Sequence, residues 1–158
     1  MTREELLREA IRLSAENATS GRGGPFGAVV AKGGEVVATG VNRVTSSLDP
    51  TAHAEVVAIR GACAALQAFS LEGCEVFASC EPCPMCLAAL YWARVDAVYF
   101  AATHADAADA GFDDSFLYRE ISLPVSERSL PTRHWTDLRD EADEAFRLWR
   151  ESAVKTPY

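Results

Sequence analysis

The stretch Cys80-Glu81-Pro82-Cys83-Pro84-Met85-Cys86 constrains this chain more than any other part of it. It spaces three cysteines at intervals of three residues, sets a proline on each side of the middle one, and opens onto the apolar run Leu87–Ala93. The residues before it, CEVFAS, are apolar and β-prone and read as a short strand. A strand that passes at once into a helix puts the intervening residues at the sheet's C-terminal edge, where open α/β sheets build their sites. Pro84 suits the first helical position, because an N–H there would have no intrahelical acceptor. Cys83 is then the N-cap and Cys86 a first-turn residue, so their sulfurs converge. The helix N-terminus favours thiolate over thiol, which is the form that binds a metal. Pro82 stiffens the approach and holds Glu81 extended.

Two sulfurs do not complete a metal site. Catalytic zinc takes three protein ligands and leaves a fourth position open. The stretch Thr51-Ala52-His53-Ala54-Glu55 supplies a candidate third ligand, His53, again at the start of a helical run, with Glu55 two residues on. If the two helices start side by side at one sheet edge, His53, Cys83 and Cys86 share one zinc, and Glu55 stands beside the open position without ligating. Cys80 is the spare thiol, expected to be buried or pocket-lining. Cys63 and Cys74 read as core filler. An isolated CxxC would suit a redox or structural site, and an isolated histidine a structural role. The iron–sulfur pattern would need a fourth cysteine followed by proline, and a thioredoxin-like motif leaves the His-Ala-Glu unit unexplained.

The order of elements supports this placement. Residues 2–19 read as a helix that opens on a Thr2/Glu5 capping box and stops at the glycines of 21–24. FGAVVAKGGEVVATGVN reads as a hairpin about Gly33-Gly34. A polar loop over 43–50 leads to the helix TAHAEVVAIRGACAAL, and VDAVYFAA is a further strand after the cysteine-led helix. Helices alternating with strands predict a partly parallel sheet covered on both faces. Beyond Thr103 the pattern weakens: DDSFLYREI suits a short helix, LPTRHWT a strand or loop, and DEADEAFRLWRESA a helix with Phe146 and Trp149 on one side.

At 158 residues the chain fits one domain, with 49 % apolar and 24 % charged residues. Its net charge of −8, with arginines spread singly, argues against a phosphate-backbone binder. No run reaches the roughly 18 apolar residues that a membrane span needs, and the N-terminus MTREELLREA has no signal-peptide apolar region. A cytoplasmic location, with reduced or metal-bound cysteines, is the expectation; the odd count of 5 cysteines suits no disulfide framework.

An H-x-E unit followed by P-C-x-x-C is the pattern of zinc deaminases. On these residues the chain resembles the cytidine deaminase superfamily. Within it the chain is similar to the bacterial guanine deaminases through GGPFGAVV, DPTAHAEVVAIR, CEPCPMCLAALYWAR, AGFDDSFLY and the terminal Tyr158. The metal motifs are shared by many deaminases, whereas AGFDDSF and Tyr158 point toward guanine. The resemblance implies a three-layer α/β/α fold with a five-stranded mixed sheet and helices on both faces. It also implies a homodimer in which the C-terminal segment, about residues 138–158, caps the active site by crossing to the partner.

The function implied is hydrolytic deamination of a nucleobase by a zinc-activated hydroxide, with guanine converted to xanthine and ammonia in purine metabolism. Zinc bound to His53, Cys83 and Cys86 would lower the pKa of a water, and Glu55 would shuttle its proton to the ring and then to the leaving group. By resemblance, Phe26 and Trp92 line the pocket, Asn42 and the backbone of Ala54 bond the base, Asp114 accepts from its N–H groups, and Tyr158 closes the pocket. Phe26 and Trp92 would equally suit a core, Asp114 a helix cap, and Tyr158 a frayed end. Glu141, Asp143 and Glu144 are candidates for an assisting acid and also suit a charged helix start. Alternative substrates are cytosine, an aminotriazine such as ammeline, guanosine or adenine. A tRNA adenosine deaminase shares the metal core, but the acidic balance speaks against it. The remaining alternative is a non-catalytic zinc-stabilised binding module, which would give Glu55 no purpose.

Overall fold

The computed structural model describes all residues from Met1 to Tyr158. The chain divides into two compact units, Met1–Asp114 and Ser115–Tyr158. In the first, helix α1 (Arg3–Ala18) is followed by strands β1 (Gly27–Lys32) and β2 (Glu35–Val41), the single turn α2 (Val44–Ser47) and helix α3 (Ala54–Leu66). Strand β3 (Cys74–Cys80), helix α4 (Pro84–Ala93), strand β4 (Ala97–Ala102) and the short helix α5 (His104–Asp109) complete it. The second unit holds α6 (Ser115–Ser122), two 3-10 turns (Val125–Glu127 and Thr136–Leu138) and α7 (Arg139–Glu151).

The capping box forms as the sequence predicts. Glu5 N–H donates to Thr2 Oγ1 at 3.2 Å, and Thr2 N–H donates to Glu5 Oε2 at 2.8 Å. Gly33 and Gly34 turn the β1–β2 hairpin with φ of 59° and 83°, a region that costs other residues strain. The sheet order is β2-β1-β3-β4, with β1 antiparallel to both neighbours and β3 parallel to β4. The parallel pair requires a crossover, and α4 supplies it.

Side-chain alternation along the strands separates two apolar layers. Val29, Ala31 and Phe77 face Leu6 and Ala10 of α1. Ala28, Val30, Cys74 and Val76 face Ala54, Ala58 and Ala62 of α3 and Leu90 and Ala93 of α4. Full burial of side chains such as Phe77 and Val76 contributes about 1.5–3 kcal/mol each, and alanines along α3 let it lie close to the sheet. Helices therefore cover both faces, as expected. Cys74 is buried in the core and Cys63 packs against it.

The expected five-stranded sheet is corrected to four strands. The segment that could have supplied a fifth, Leu130–Thr136, forms no strand and runs into the 3-10 turn Thr136–Leu138. Pro131 offers no N–H to a ladder, and Thr132, Arg133 and His134 carry no apolar alternation to bury. No helix is long and apolar enough to cross a membrane.

Candidate active site

Two helix starts meet at one end of the sheet. His53 is the N-cap of α3, extended at φ −69°, ψ 157°. Cys83 is the N-cap of α4 at φ −64°, ψ 167°, with Pro84 in the first turn and Cys86 within it. α3 reaches its position because β2 has no side chain at Gly40. A Cβ there would lie 2.1 Å from the Ala54 carbonyl oxygen and 2.6 Å from the Ala58 nitrogen.

His53 Nδ1 lies 3.6 Å from Cys83 Sγ and 3.5 Å from Cys86 Sγ. Around a tetrahedral zinc with Zn–S of about 2.3 Å and Zn–N of about 2.0–2.1 Å, a sulfur and a nitrogen stand roughly 3.5–3.6 Å apart. The observed spacings match that tetrahedron, and all three donor atoms lie within 4.8 Å of one another. One imidazole and two thiols therefore could hold a zinc ion. Cys80 belongs to no such set; it is buried, and its Sγ donates to the Thr103 carbonyl at 3.4 Å.

The electrostatics suit ligation. The hydrogen bond from Cys86, followed by that from His53, brings the Cys83 thiol down to about 4. The Cys86 thiol is pushed up by its bond to Cys83 and by burial. The hydrogen bond to Cys83 raises His53 despite its burial. Glu55, 7 % exposed, is held above the usual carboxyl range chiefly by desolvation, and its Oε2 accepts from Cys86 Sγ at 3.5 Å.

A cavity of about 110 Å³ opens over this cluster, lined by His53, Glu55 and Cys83 together with Phe26, Asn42 and Asp114. Asp114 Oδ1 is buried and has no hydrogen-bond partner. Burial raises its carboxyl pKa, as expected of an acceptor removed from water. Asn42 Oδ1 accepts from the Gly24 and Val44 backbone N–H groups, each at 3.2 Å. Its amide nitrogen is thus the donor this residue keeps for the cavity.

Phe112, His104 and Glu81 also line the cavity, and the sequence did not single them out. Phe112 meets Phe26 edge-to-face at 5.0 Å and 87°. Glu81 Oε2 accepts from the His104 backbone N–H at 3.1 Å, joining the cysteine loop to the start of α5. The Ala/Asp-rich stretch before Phe112 has no apolar periodicity, so only the aromatic within AGFDDSF could have signalled it.

Of the other expected residues, Ala54 is buried at the first position of α3, where its N–H has no intrahelical acceptor. Trp92, on α4, is 66 % exposed and does not line the cavity. Tyr158 lies in the second unit. There Asp143 pairs with Arg139 at 3.9 Å, Glu144 bonds Arg147 Nε at 2.7 Å, and Glu141 sits in the first turn of α7.

Residues 1–102 match the model of the cytidine and deoxycytidylate deaminase zinc-binding region. The chain belongs to this family. Its metal is therefore zinc, the ion that the His53–Cys83–Cys86 geometry fits. The chain is also 52 % identical to a guanine deaminase of Bacillus subtilis over 100 % of both chains. It superposes on the crystal structure of guanine deaminase from that organism with a TM-score of 0.96, covering 100 % of this chain and 99 % of that one. A guanine deaminase from Nitrosomonas europaea is similar at 33 % identity and a TM-score of 0.67, over 72 % of this chain and 65 % of that one. A tRNA-specific adenosine deaminase of Aquifex aeolicus is 42 % identical over 65 % of this chain and 67 % of its own.

Proposed function

We propose that this deaminase-family chain hydrolyses guanine to xanthine and ammonia. The observation that carries this reading is the buried, unpartnered Oδ1 of Asp114 in the wall of the cavity over the zinc ligands. An acceptor removed from water calls for a ligand that donates, and guanine presents ring N–H groups and an amino group. Asn42 supplies the opposite polarity, an amide donor for a carbonyl or ring-nitrogen acceptor on the same base. The match to a guanine deaminase, 52 % identical, spans all 158 residues and so covers the segment that holds Asp114 and the residues beyond it.

His53, Cys83 and Cys86 would hold the zinc ion, which when bound would supply a Lewis acid that makes a water molecule nucleophilic near neutral pH. Phe26 and Phe112 pack against the base, Asp114 and Asn42 fix its edge, and the Ala54 N–H at the start of α3 offers a further donor. Glu55 accepts a proton from the attacking water and returns it to the ring nitrogen beside C2. Once the hydroxyl has added at C2, Glu55 takes its remaining proton and passes it to the amino group, and ammonia leaves as the C–N bond breaks and the C2 carbonyl forms. One water is consumed, one ammonia is released, and the carboxylate is regenerated. Burial, which holds Glu55 above ordinary carboxyl values, brings its proton affinity closer to that of the groups it serves.

The closely related readings separate in an ammonia-release assay run on guanine, guanosine, cytosine, adenine and ammeline. Guanine is expected to be the best substrate, and Asp114→Asn to raise its KM by about tenfold or more. Ammonia from cytosine or ammeline but not from guanine overturns the base assignment. Zinc-loaded protein that releases none from any of them is a binding module instead.

We also infer a homodimer, to which the terminal segment with Tyr158 contributes a cover for the partner's pocket. Exposed Leu87 and Tyr91 on α4, and Phe146 and Trp149 on α7, are apolar surface of the kind that partners cover. A cytoplasmic location accords with the 5 cysteines and the absence of any long apolar helix.

A further inference from the structure

We propose that Asn17, which bonds the backbone carbonyl of Asn42, is a positioning residue that sets which end of the Asn42 amide the cavity receives. The inference rests on the reading of Asn42 as a base contact. Asn17 is 0 % exposed, an unusual place for an uncharged amide unless every polar group on it is used. Its Nδ2 donates to the Gly24 carbonyl at 2.8 Å and to the Asn42 carbonyl at 2.9 Å. Its Oδ1 accepts from Ser20 Oγ at 3.2 Å. Both hydrogens of one amide therefore tie the loop after α1 to the end of β2.

That tie decides the orientation of the second amide. Gly24 N–H and Val44 N–H both donate to Asn42 Oδ1, so the oxygen end is held by two backbone donors and the nitrogen end is left for the ligand. The Gly24 donor is in place because Asn17 holds the carbonyl of the same residue. The segment has little freedom to drift. A Cβ at Gly23 would lie 2.2 Å from the Asn42 carbonyl oxygen and 2.6 Å from Oδ1. Without Asn17 the Gly24 and Asn42 carbonyls lose a buried donor, the loop relaxes to find water, and the Asn42 amide loses one of the two bonds that prevent its rotation. A rotated amide presents an oxygen where the base presents an acceptor, and binding weakens.

Asn17 touches neither the metal ligands nor Glu55, so its loss is expected in ground-state binding rather than in the chemical step. The test is a double-mutant cycle of Asn17→Leu and Asn42→Ala, with zinc content and melting temperature recorded for each protein. The expected result is a guanine KM raised about fivefold to tenfold by Asn17→Leu, with kcat within about twofold of the parent and zinc retained. In the Asn42→Ala background Asn17→Leu then adds no further change in KM. A raised KM with Asn42→Ala but an unchanged KM with folded, zinc-loaded Asn17→Leu overturns the positioning role. So does a full additional KM effect of Asn17→Leu in the Asn42→Ala background. An unchanged KM with Asn42→Ala overturns the underlying base contact instead. If Asn17→Leu does not fold, Ser20→Ala takes its place in the same cycle; it removes the hydroxyl that donates to Asn17 Oδ1 and to the Asn17 carbonyl and that accepts from the Arg22 N–H. It is expected to give a smaller KM rise, about twofold, that vanishes without the Asn42 amide; no rise overturns the role.

Discussion

Glu55 stands one residue past the first position of α3, with its carboxylate 3.5 Å from a metal-ligand sulfur and almost wholly out of water. A carboxylate so placed is costly to bury and contributes little to folding, which is what a group kept for proton transfer looks like. Glu55→Gln preserves the volume and the three ligands but cannot accept a proton. Its kcat on guanine is expected to fall by at least about 10²–10⁴-fold while zinc remains bound. Turnover near the parent value, measured beside zinc content, would remove the carboxylate from the reaction. The meeting of this residue with His53, Cys83 and Cys86 was legible in the sequence because each group lies within a few positions of its own helix start, so spacing alone encodes convergence. Asn17, His104 and Phe112 were not. Their positions come from contacts across 25 residues, as between Asn17 and Asn42, or from the way a loop folds over the cavity, and no local period records either.

The elements behave the same way. α1, the hairpin, α3, β3, α4 and β4 follow from caps, glycines and apolar patterning, and all form where the sequence predicts them. The one-turn α2 lies inside what reads as a polar loop, and α5 inside a stretch with no apolar face, because both are stabilised by local bonds rather than by burial. At α5 these are the Thr103 and Asp106 capping pair, with Asp106 N–H donating to Thr103 Oγ1 at 3.3 Å. The fifth strand expected from resemblance failed for the complementary reason, since Pro131 and its polar neighbours offer a ladder neither donor nor apolar face. What the sequence did not reveal is how closely α3 approaches β2, and there Gly40 is decisive. Gly40→Ala drives a methyl into the Ala54 carbonyl and must push the start of α3 outward. The expected cost is about 1–3 kcal/mol of stability. Because His53 caps that helix, weaker zinc retention should accompany the lower melting temperature. A chelator competition alongside thermal unfolding checks both, and unchanged zinc affinity would mean that the helix start can shift without carrying its ligand.

Over the whole molecule, one cluster ties α1 to the sheet. Arg3 bonds Glu75 of β3 at 2.6 Å, Tyr99 of β4 donates to the same carboxylate at 3.2 Å, and the Arg3 guanidinium lies 5.2 Å from the Tyr99 ring centroid. The Arg3 hydrogen bond, foremost, holds the Glu75 pKa below the ordinary carboxyl value. A depressed folded-state pKa contributes stability that is fully present above the unfolded value, about 4.3, and is lost as pH falls through the folded one. The stability gap between the parent and Glu75→Gln should therefore be constant near neutral pH and close as pH drops below about 4; a gap independent of pH would mean that the carboxylate charge plays no part. The larger question at this scale is what covers α4. Leu87 is 40 % and Tyr91 78 % exposed, and with Val95 and Val98 they border a hollow open to one side. Apolar surface gathered in this way on a chain of net charge −8 is poorly explained by solubility and well explained by a second copy of the chain. In a two-fold dimer each substitution counts twice, so Tyr91→Glu should place a carboxylate on both sides of one contact. Sedimentation velocity at micromolar concentration is expected to give two chains for the parent and one for the variant, with the far-ultraviolet spectrum unchanged. A variant that sediments as a pair like its parent would move the interface away from α4.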